Sequence, residues 1–142
     1  MSSITFVPYE PHHLAEIKLR PEQVPYFDAL VKPEHAESLA NGLAWTALDG
    51  DRVLGCAGLS SQWPGRKVAW TISGNLPSYA GPPILAKLKE IIAAQIGRIE
   101  FSVPCNNGEG CLVAHELGFK VEGMAEAYGP DGADHFMYAK VV

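Results

Sequence analysis

The stretch Ile99 to Phe119, IEFSVPCNNGEGCLVAHELGF, constrains this chain more than any other. Ile99, Phe101 and Val103 alternate with Glu100 and Ser102, the period-two pattern of a strand with one buried face. Pro104 ends that strand because it cannot donate to a ladder. A short polar loop follows, in which Asn106, with Glu109 three residues on, reads as an N-cap and its capping-box partner. Glu109 also sets negative charge at the positive end of the helix dipole. Val113 and Leu117 supply an apolar stripe, Gly118 suits the left-handed residue that closes a helix, and Phe119 begins the next hydrophobic run. The unit is a strand, an asparagine-containing loop, a short helix and Leu-Gly-Phe.

The rest of the chain can be laid out around that unit. Ile4 to Tyr9 reads as a first strand, and Pro11 suits the first turn of a helix running through Leu14 and Ile17. His12 and His13 at its start read as solvated surface. Pro21 and Pro25 break the connection from Leu19 to Val31, and Pro33 opens a helix over His35 to Ala40 that Gly42 stops. Leu43 to Leu48 and Arg52 to Leu59 flank Asp49-Gly50, the chemistry of a tight hairpin turn. Gly55 and Gly58 in the second strand predict a bulge or the close approach of another backbone or a ligand. After Trp63-Pro64-Gly65, Arg66 to Ser73 is a third strand of the meander, with Val68, Trp70 and Ile72 on one face.

A loop rich in Gly and Pro then leads to Ile84 to Ile96, where Ile84, Leu85, Leu88, Ile91, Ile92 and Ile96 recur at helical spacing before Gly97. The Ile99 strand then lies parallel to the Arg66 strand through this crossover. After Phe119, runs to Tyr128 and from Asp134 to Val142 form a hairpin around Gly129-Pro130-Asp131-Gly132.

Composition excludes several classes of function. The 142 residues suit one domain, and 47% hydrophobic with 19% charged residues is ordinary for a globular core. The formal charge is -5 and the 11 Lys and Arg are scattered, so no basic stripe exists to neutralise phosphates and no nucleic acid is expected as a partner. An acidic chain gains nothing at an anionic membrane surface, no apolar stretch approaches a bilayer span, and MSSITFVPYE lacks the pattern of a signal peptide. The expected location is the cytoplasm. Cys56, Cys105 and Cys111 are odd in number and form no CxxC pair, so reduced thiols are expected. Cys111 and His115 are four apart and could face one way as a metal pair or a Cys-His nucleophile. A tetrahedral site needs further ligands and none has suitable spacing, so the reading is a half-buried cysteine beside a surface histidine, with no metal.

The strand, loop, helix and Leu-Gly-Phe of Ile99 to Phe119 resemble the C-terminal half of the acyl-CoA N-acyltransferase (GNAT) superfamily. Asn107 stands eleven residues before Gly118, the spacing usual in that family, and Lys120-Val121-Glu122-Gly123 fits its next strand. The order of elements is similar over nearly the whole chain. The resemblance implies a single α+β domain, 1–142, of three-layer α/β character, whose mixed sheet of about six to seven strands carries helices on both faces. It implies that the Arg66 and Ile99 strands part at one end and hold the pantetheine arm of acetyl-CoA. The coenzyme would then meet Ile72, Ser73, Gly74, Asn75, Tyr79, Gly81 and Asn107. The implied chemistry is attack of an amine, on a small molecule or a protein, on the thioester.

The sequence departs from the family at two places. The usual pyrophosphate loop offers successive glycine N–H groups before a helix N-terminus. Here the stretch reads Asn75-Leu76-Pro77-Ser78-Tyr79-Ala80-Gly81-Pro82-Pro83, and three prolines remove three donors. The family's tyrosine general acid falls on Ala114, leaving Ser102 and His115 as catalytic candidates. Glu100 and Glu126 read as solvated outer-face carboxylates. Two functions follow. One is an N-acetyltransferase using acetyl-CoA. The other is a GNAT-shaped protein without catalysis that works by binding. For the second, Trp70-Thr71-Ile72-Ser73-Gly74 is similar to a family encoded by tailed phages, and the implied partner is a second copy or a virion component in the host cytoplasm or the virion.

Overall fold

The computed structural model describes residues 4–24 and 33–142. The elements in chain order are β1 (Ile4–Pro8), 3-10 turns at Pro11–Glu16 and Pro21–Gln23, α1 (Pro33–Leu39), β2 (Leu43–Asp49), β3 (Arg52–Trp63) and β4 (Arg66–Ser73). A 3-10 turn at Ser78–Ala80 leads to α2 (Gly81–Ala93), then β5 (Arg98–Pro104), α3 (Gly108–Glu116), β6 (Lys120–Ala125) and β7 (His135–Val141). In the expected broken connection after Leu19 the described residues include a turn at Pro21–Gln23; residues 25–32 lie outside the described residues. The strands form one seven-stranded mixed sheet in the order β1-β2-β3-β4-β5-β7-β6. Its β4–β5 pair is parallel, as the crossover predicts. The chain divides into two compact units, one over Met1–Ser60 and Ala69–Ile84, the other over Ser61–Val68 and Leu85–Val142.

In the first unit, alternation along β2 sorts two cores. Ala44 and Leu48 face a cluster of Tyr9, Leu14, Ile17, Leu39, Val53 and Cys56, while Ala47 faces Leu54, Ala80, Ile4, Phe6 and Ile84. The first 3-10 turn and α1 therefore cover one face and the start of α2 the other. Tyr9 anchors the first cluster, its ring edge-on to Trp70 with centroids 5.5 Å apart and its hydroxyl donating to the Ala36 carbonyl at 2.8 Å. The glycines of β3 mark close approach, as their sequence positions predict. A Cβ on Gly58 would sit 2.5 Å from the Leu43 carbonyl oxygen and 2.8 Å from the Trp70 ring. A bulge also occurs, with Leu54 as the extra residue, since Ala47 pairs with Gly55 and Leu48 with Val53.

Four local expectations need correction. The hairpin loop is Gly50-Asp51, because Asp49 already pairs with Arg52. His13 is buried at 7% exposure, since the 3-10 turn packs it against Thr46, where its Nδ1 lies 2.7 Å from the Thr46 hydroxyl. Gly81, Pro82 and Pro83 are the first turn of α2 rather than loop, a place where the missing proline N–H groups cost the helix nothing. At its other end α2 stops at Ala93, so Ile96 falls outside the apolar stripe and is 84% exposed.

The second unit is built on β7, which lies between β5 and β6 and pairs antiparallel with both. Glu100 is no solvated outer-face carboxylate. It accepts from Arg66 Nε at 2.6 Å and Arg98 Nε at 2.7 Å, and Arg98 Nη1 continues to Glu122 at 3.0 Å. Burial pushes the Glu100 pKa up, but the two guanidiniums outweigh it and hold the carboxyl below its ordinary range. Arg66 also lies 4.6 Å over the Trp63 ring.

Helix α3 is capped by Asn107 rather than Asn106, its Oδ1 accepting from the Gly110 N–H at 3.0 Å. Ala114 and Leu117 form its buried face, and Val113, expected there, is 42% exposed. The close is a Schellman motif: Gly118, at φ +85°, donates to the His115 carbonyl and Phe119 donates to that of Ala114, both at 3.0 Å. Among the described residues no helix is long and apolar enough to cross a membrane.

The packing predicts a contrast between two glycines. Gly58→Ala is expected to lose about 3 kcal/mol in urea denaturation, because the carbonyl and indole it meets are both held by the core. Gly123→Ala, with nothing within 4 Å of its added methyl, is expected to stay within about 0.5 kcal/mol.

Candidate functional site

The residues singled out in the sequence fall in both units, and each group has its own surroundings. In the first unit, Ile72 packs against the Tyr9 cluster. The Ser73 carbonyl accepts from Gln23 Nε2 at 2.7 Å, while Gln23 Oε1 takes the Arg20 N–H at 2.9 Å. The Gly74 N–H donates to the Leu54 carbonyl at 3.2 Å, and a Cβ at Gly74 would collide with the Lys18 carbonyl. Backbone groups at the end of β4 are therefore engaged inside their own unit. The Asn75 carbonyl lies 3.4 Å from Arg52 Nη2. The exposed Tyr79 hydroxyl donates to the Asp49 carboxylate, and that bond, aided by desolvation, raises its pKa and keeps it protonated. Gly81 opens α2 with free space about it, but Pro82 and Pro83 supply no N–H where a helix start ordinarily offers them to an anion.

In the second unit, Ser102 pairs with Met137 across the β5–β7 ladder and so shares a face with His135. Its Oγ lies 3.1 Å from His135 Nδ1. Burial lowers the pKa of His135, with Asp131 pulling weakly the other way, so the imidazole is neutral at neutral pH. The Tyr128 ring lies against it with centroids 5.2 Å apart. Phe101 and its partner Tyr138 point to the other face, where Tyr138 meets α3. Its hydroxyl lies 3.4 Å from His115 Nε2, and the two rings are perpendicular with centroids 5.5 Å apart. Burial, reinforced by Cys111, pushes the Tyr138 phenol up to about 12.

Ser102 and His115 therefore lie on opposite faces of the β5–β7 ladder and do not form one site. Each has instead a partner that the sequence reading missed, His135 for the serine and Tyr138 for the histidine. Gln23, which holds the Ser73 carbonyl, was missed as well. No local pattern marks these three, since each acts across 23 to 50 residues of chain. Asn107 spends its Oδ1 on the helix cap. Among the described residues, metal-ligating side chains gather not at Cys111 and His115 but at Glu10, His12 and His13.

The Ser102–His135 pair sets a hydroxyl beside a neutral imidazole, the state in which a histidine can accept a proton. Because the folded pKa of His135 lies below its unfolded value of about 6.5, its contribution to stability is complete above that pH and is lost as pH falls through the folded pKa. Thermal melts from pH 4.5 to 8 are expected to show the acid-side loss reduced in His135→Gln. An unchanged profile would remove His135 as its source.

Neither a protein-family model nor a curated protein sequence matches this chain. Solved structures do. The acetyltransferase of the GNAT family from Streptococcus pneumoniae superposes with a TM-score of 0.71 at 15% identity, over 99% of this chain and 99% of that one. Ard1 from Thermoplasma volcanium gives a TM-score of 0.78 at 13% identity, over 99% and 98%. Ribosomal-protein-alanine N-acetyltransferase from Brucella melitensis gives 0.73 at 13% identity, over 97% and 99%. A likeness of this extent, carried by so few shared residues, establishes the architecture: the chain has the α+β fold of the GNAT acetyltransferases.

Proposed function

We propose that this chain is an N-acetyltransferase that moves an acetyl group from acetyl-CoA to a primary amine on a small molecule or a protein. The observation that carries the reading is the end-to-end likeness to acetyltransferase structures, in which neither chain leaves a substantial part uncovered. In the reaction the amine nitrogen attacks the thioester carbonyl carbon, a C–N bond forms, the C–S bond breaks and the thiolate leaves. One proton must leave the amine. The Ser102–His135 pair is the acceptor this reading assigns, because its imidazole is neutral at working pH. The His115–Tyr138 pair, with a phenol that stays protonated, is the other candidate for moving a proton.

A second reading is that the fold serves binding alone, with a virion component or a second copy as partner. It is favoured by the engaged Ser73 and Gly74 backbone groups and by the two prolines that open α2. Calorimetric titration with acetyl-CoA separates the two. The enzyme reading expects saturable heat and a thermal midpoint that climbs with ligand, about 2.7 kcal/mol of stabilisation at a hundred times Kd. With an amine acceptor, His135→Gln is expected to lower kcat about a hundredfold with little change in KM for acetyl-CoA, and His115→Ala to have the smaller effect. No binding of acetyl-CoA or of CoA would leave the binding reading in place. A larger loss in His115→Ala would move the proton step to the α3 face.

A further inference from the structure

We propose that Glu10, His12 and His13 form a surface site for one divalent transition-metal ion of the zinc class, with solvent completing the coordination. The three lie where β1 hands over to the first 3-10 turn, and one ligand atom from each falls within 4.8 Å of the others. The His12 and His13 Nε2 atoms stand 3.5 and 3.7 Å from the same Glu10 carboxylate oxygen. Neighbouring ligands in a tetrahedral zinc site are about 3.4 Å apart, given bonds of about 2.0 to 2.1 Å. The spacing is thus too wide for good hydrogen bonds and close to that of a coordination edge.

The remaining ring nitrogens both have partners. His12 Nδ1 is 2.7 Å from Glu16 Oε2, a carboxylate that fixes the ring with Nε2 turned toward Glu10. His13 Nδ1 is 2.7 Å from Thr46 Oγ1, and Thr46 lies 3.4 Å from Cys56 Sγ. In the tautomer that frees the Nε2 lone pair, His13 Nδ1–H donates to the Thr46 hydroxyl and that hydroxyl to Cys56. In the structure as it stands Nδ1 accepts from the Glu10 N–H at 3.1 Å and Nε2 carries the ring proton, so loading the ion moves that proton from Nε2 to Nδ1 and exchanges the Glu10 bond for the Thr46 one. His13 gives the site a rigid floor, with its side chain only 8% exposed, while His12 and Glu10, each 64% exposed, leave it open to solvent. Two imidazoles and one carboxylate suit zinc, nickel or copper and are poor ligands for magnesium or calcium.

The test is titration of the whole chain with zinc chloride, followed by heat and by thermal midpoint, with magnesium chloride as control. Saturation at one zinc ion per chain is expected, with a rising midpoint and no response to magnesium. Glu10→Gln and His12→Ala change exposed side chains, so both should fold, and each is expected to raise the zinc Kd about tenfold or more. Cobalt in place of zinc reports the donor set, because cysteine ligation gives a strong sulfur-to-cobalt charge-transfer band and this site gives none. No saturable binding, an unchanged Kd in both variants, or a thiolate band from Cys105 or Cys111 would overturn the assignment.

Discussion

The first unit depends on an indole lying where β3 has no side chain. Gly58 lets the Trp70 ring approach the strand, and Tyr9 then stands edge-on to that ring. From this position the Tyr9 hydroxyl reaches the Ala36 carbonyl and ties α1 to the sheet. The first 3-10 turn follows the same logic, with Leu14 and Ile17 packed into the Tyr9 cluster and His13 seated on Thr46. A side chain at Gly58 would act on all of these contacts together, because closely packed cores transmit displacement instead of absorbing it.

In the second unit the pleat separates two kinds of chemistry along one ladder. Odd and even positions of β5 and β7 send Ser102 and His135 to one face and Phe101 and Tyr138 to the other. Burial favours the uncharged form on both faces, so it lowers the pKa of the His135 imidazole and raises that of the Tyr138 phenol. Near the start of β5, the Arg66, Glu100, Arg98 and Glu122 side chains form an alternating chain of charge that links strands distant in sequence. Glu100 there meets two guanidiniums in a partly buried setting, where a lone charge would be costly.

Much of this architecture was legible in the sequence because its elements announce themselves locally. Period-two alternation marked β4 and β5, and the Leu-Gly-Phe close at Gly118 was read with its left-handed conformation. The misreadings trace to packing, to helix-start backbone chemistry and to partners distant in sequence. Val113 looked like the buried residue of α3, but that helix lies close enough to the sheet for Ala114 to fill the space. Pro82 and Pro83 looked like loop because proline breaks helix interiors, whereas the first turn accepts it. His13 looked solvated because its partner Thr46 lies 33 residues on. The proton-handling pairs were invisible for the same reason, since a one-residue change in register would dissolve them.

Among the described residues β6 is an edge strand of the sheet with no neighbour on its outer side, and its Val121 and Met124 are exposed. That combination invites another chain to dock and grow the sheet. The ladder to β7 slips between Val121 and Gly123, so the strand is kinked where a newcomer would need it straight. Glu122, at the kink, is drawn inward across the sheet by Arg98. The irregularity that costs this strand a regular pairing thus works as a guard against fibrillar stacking, and a more regular β6 would leave the chain more prone to polymerise.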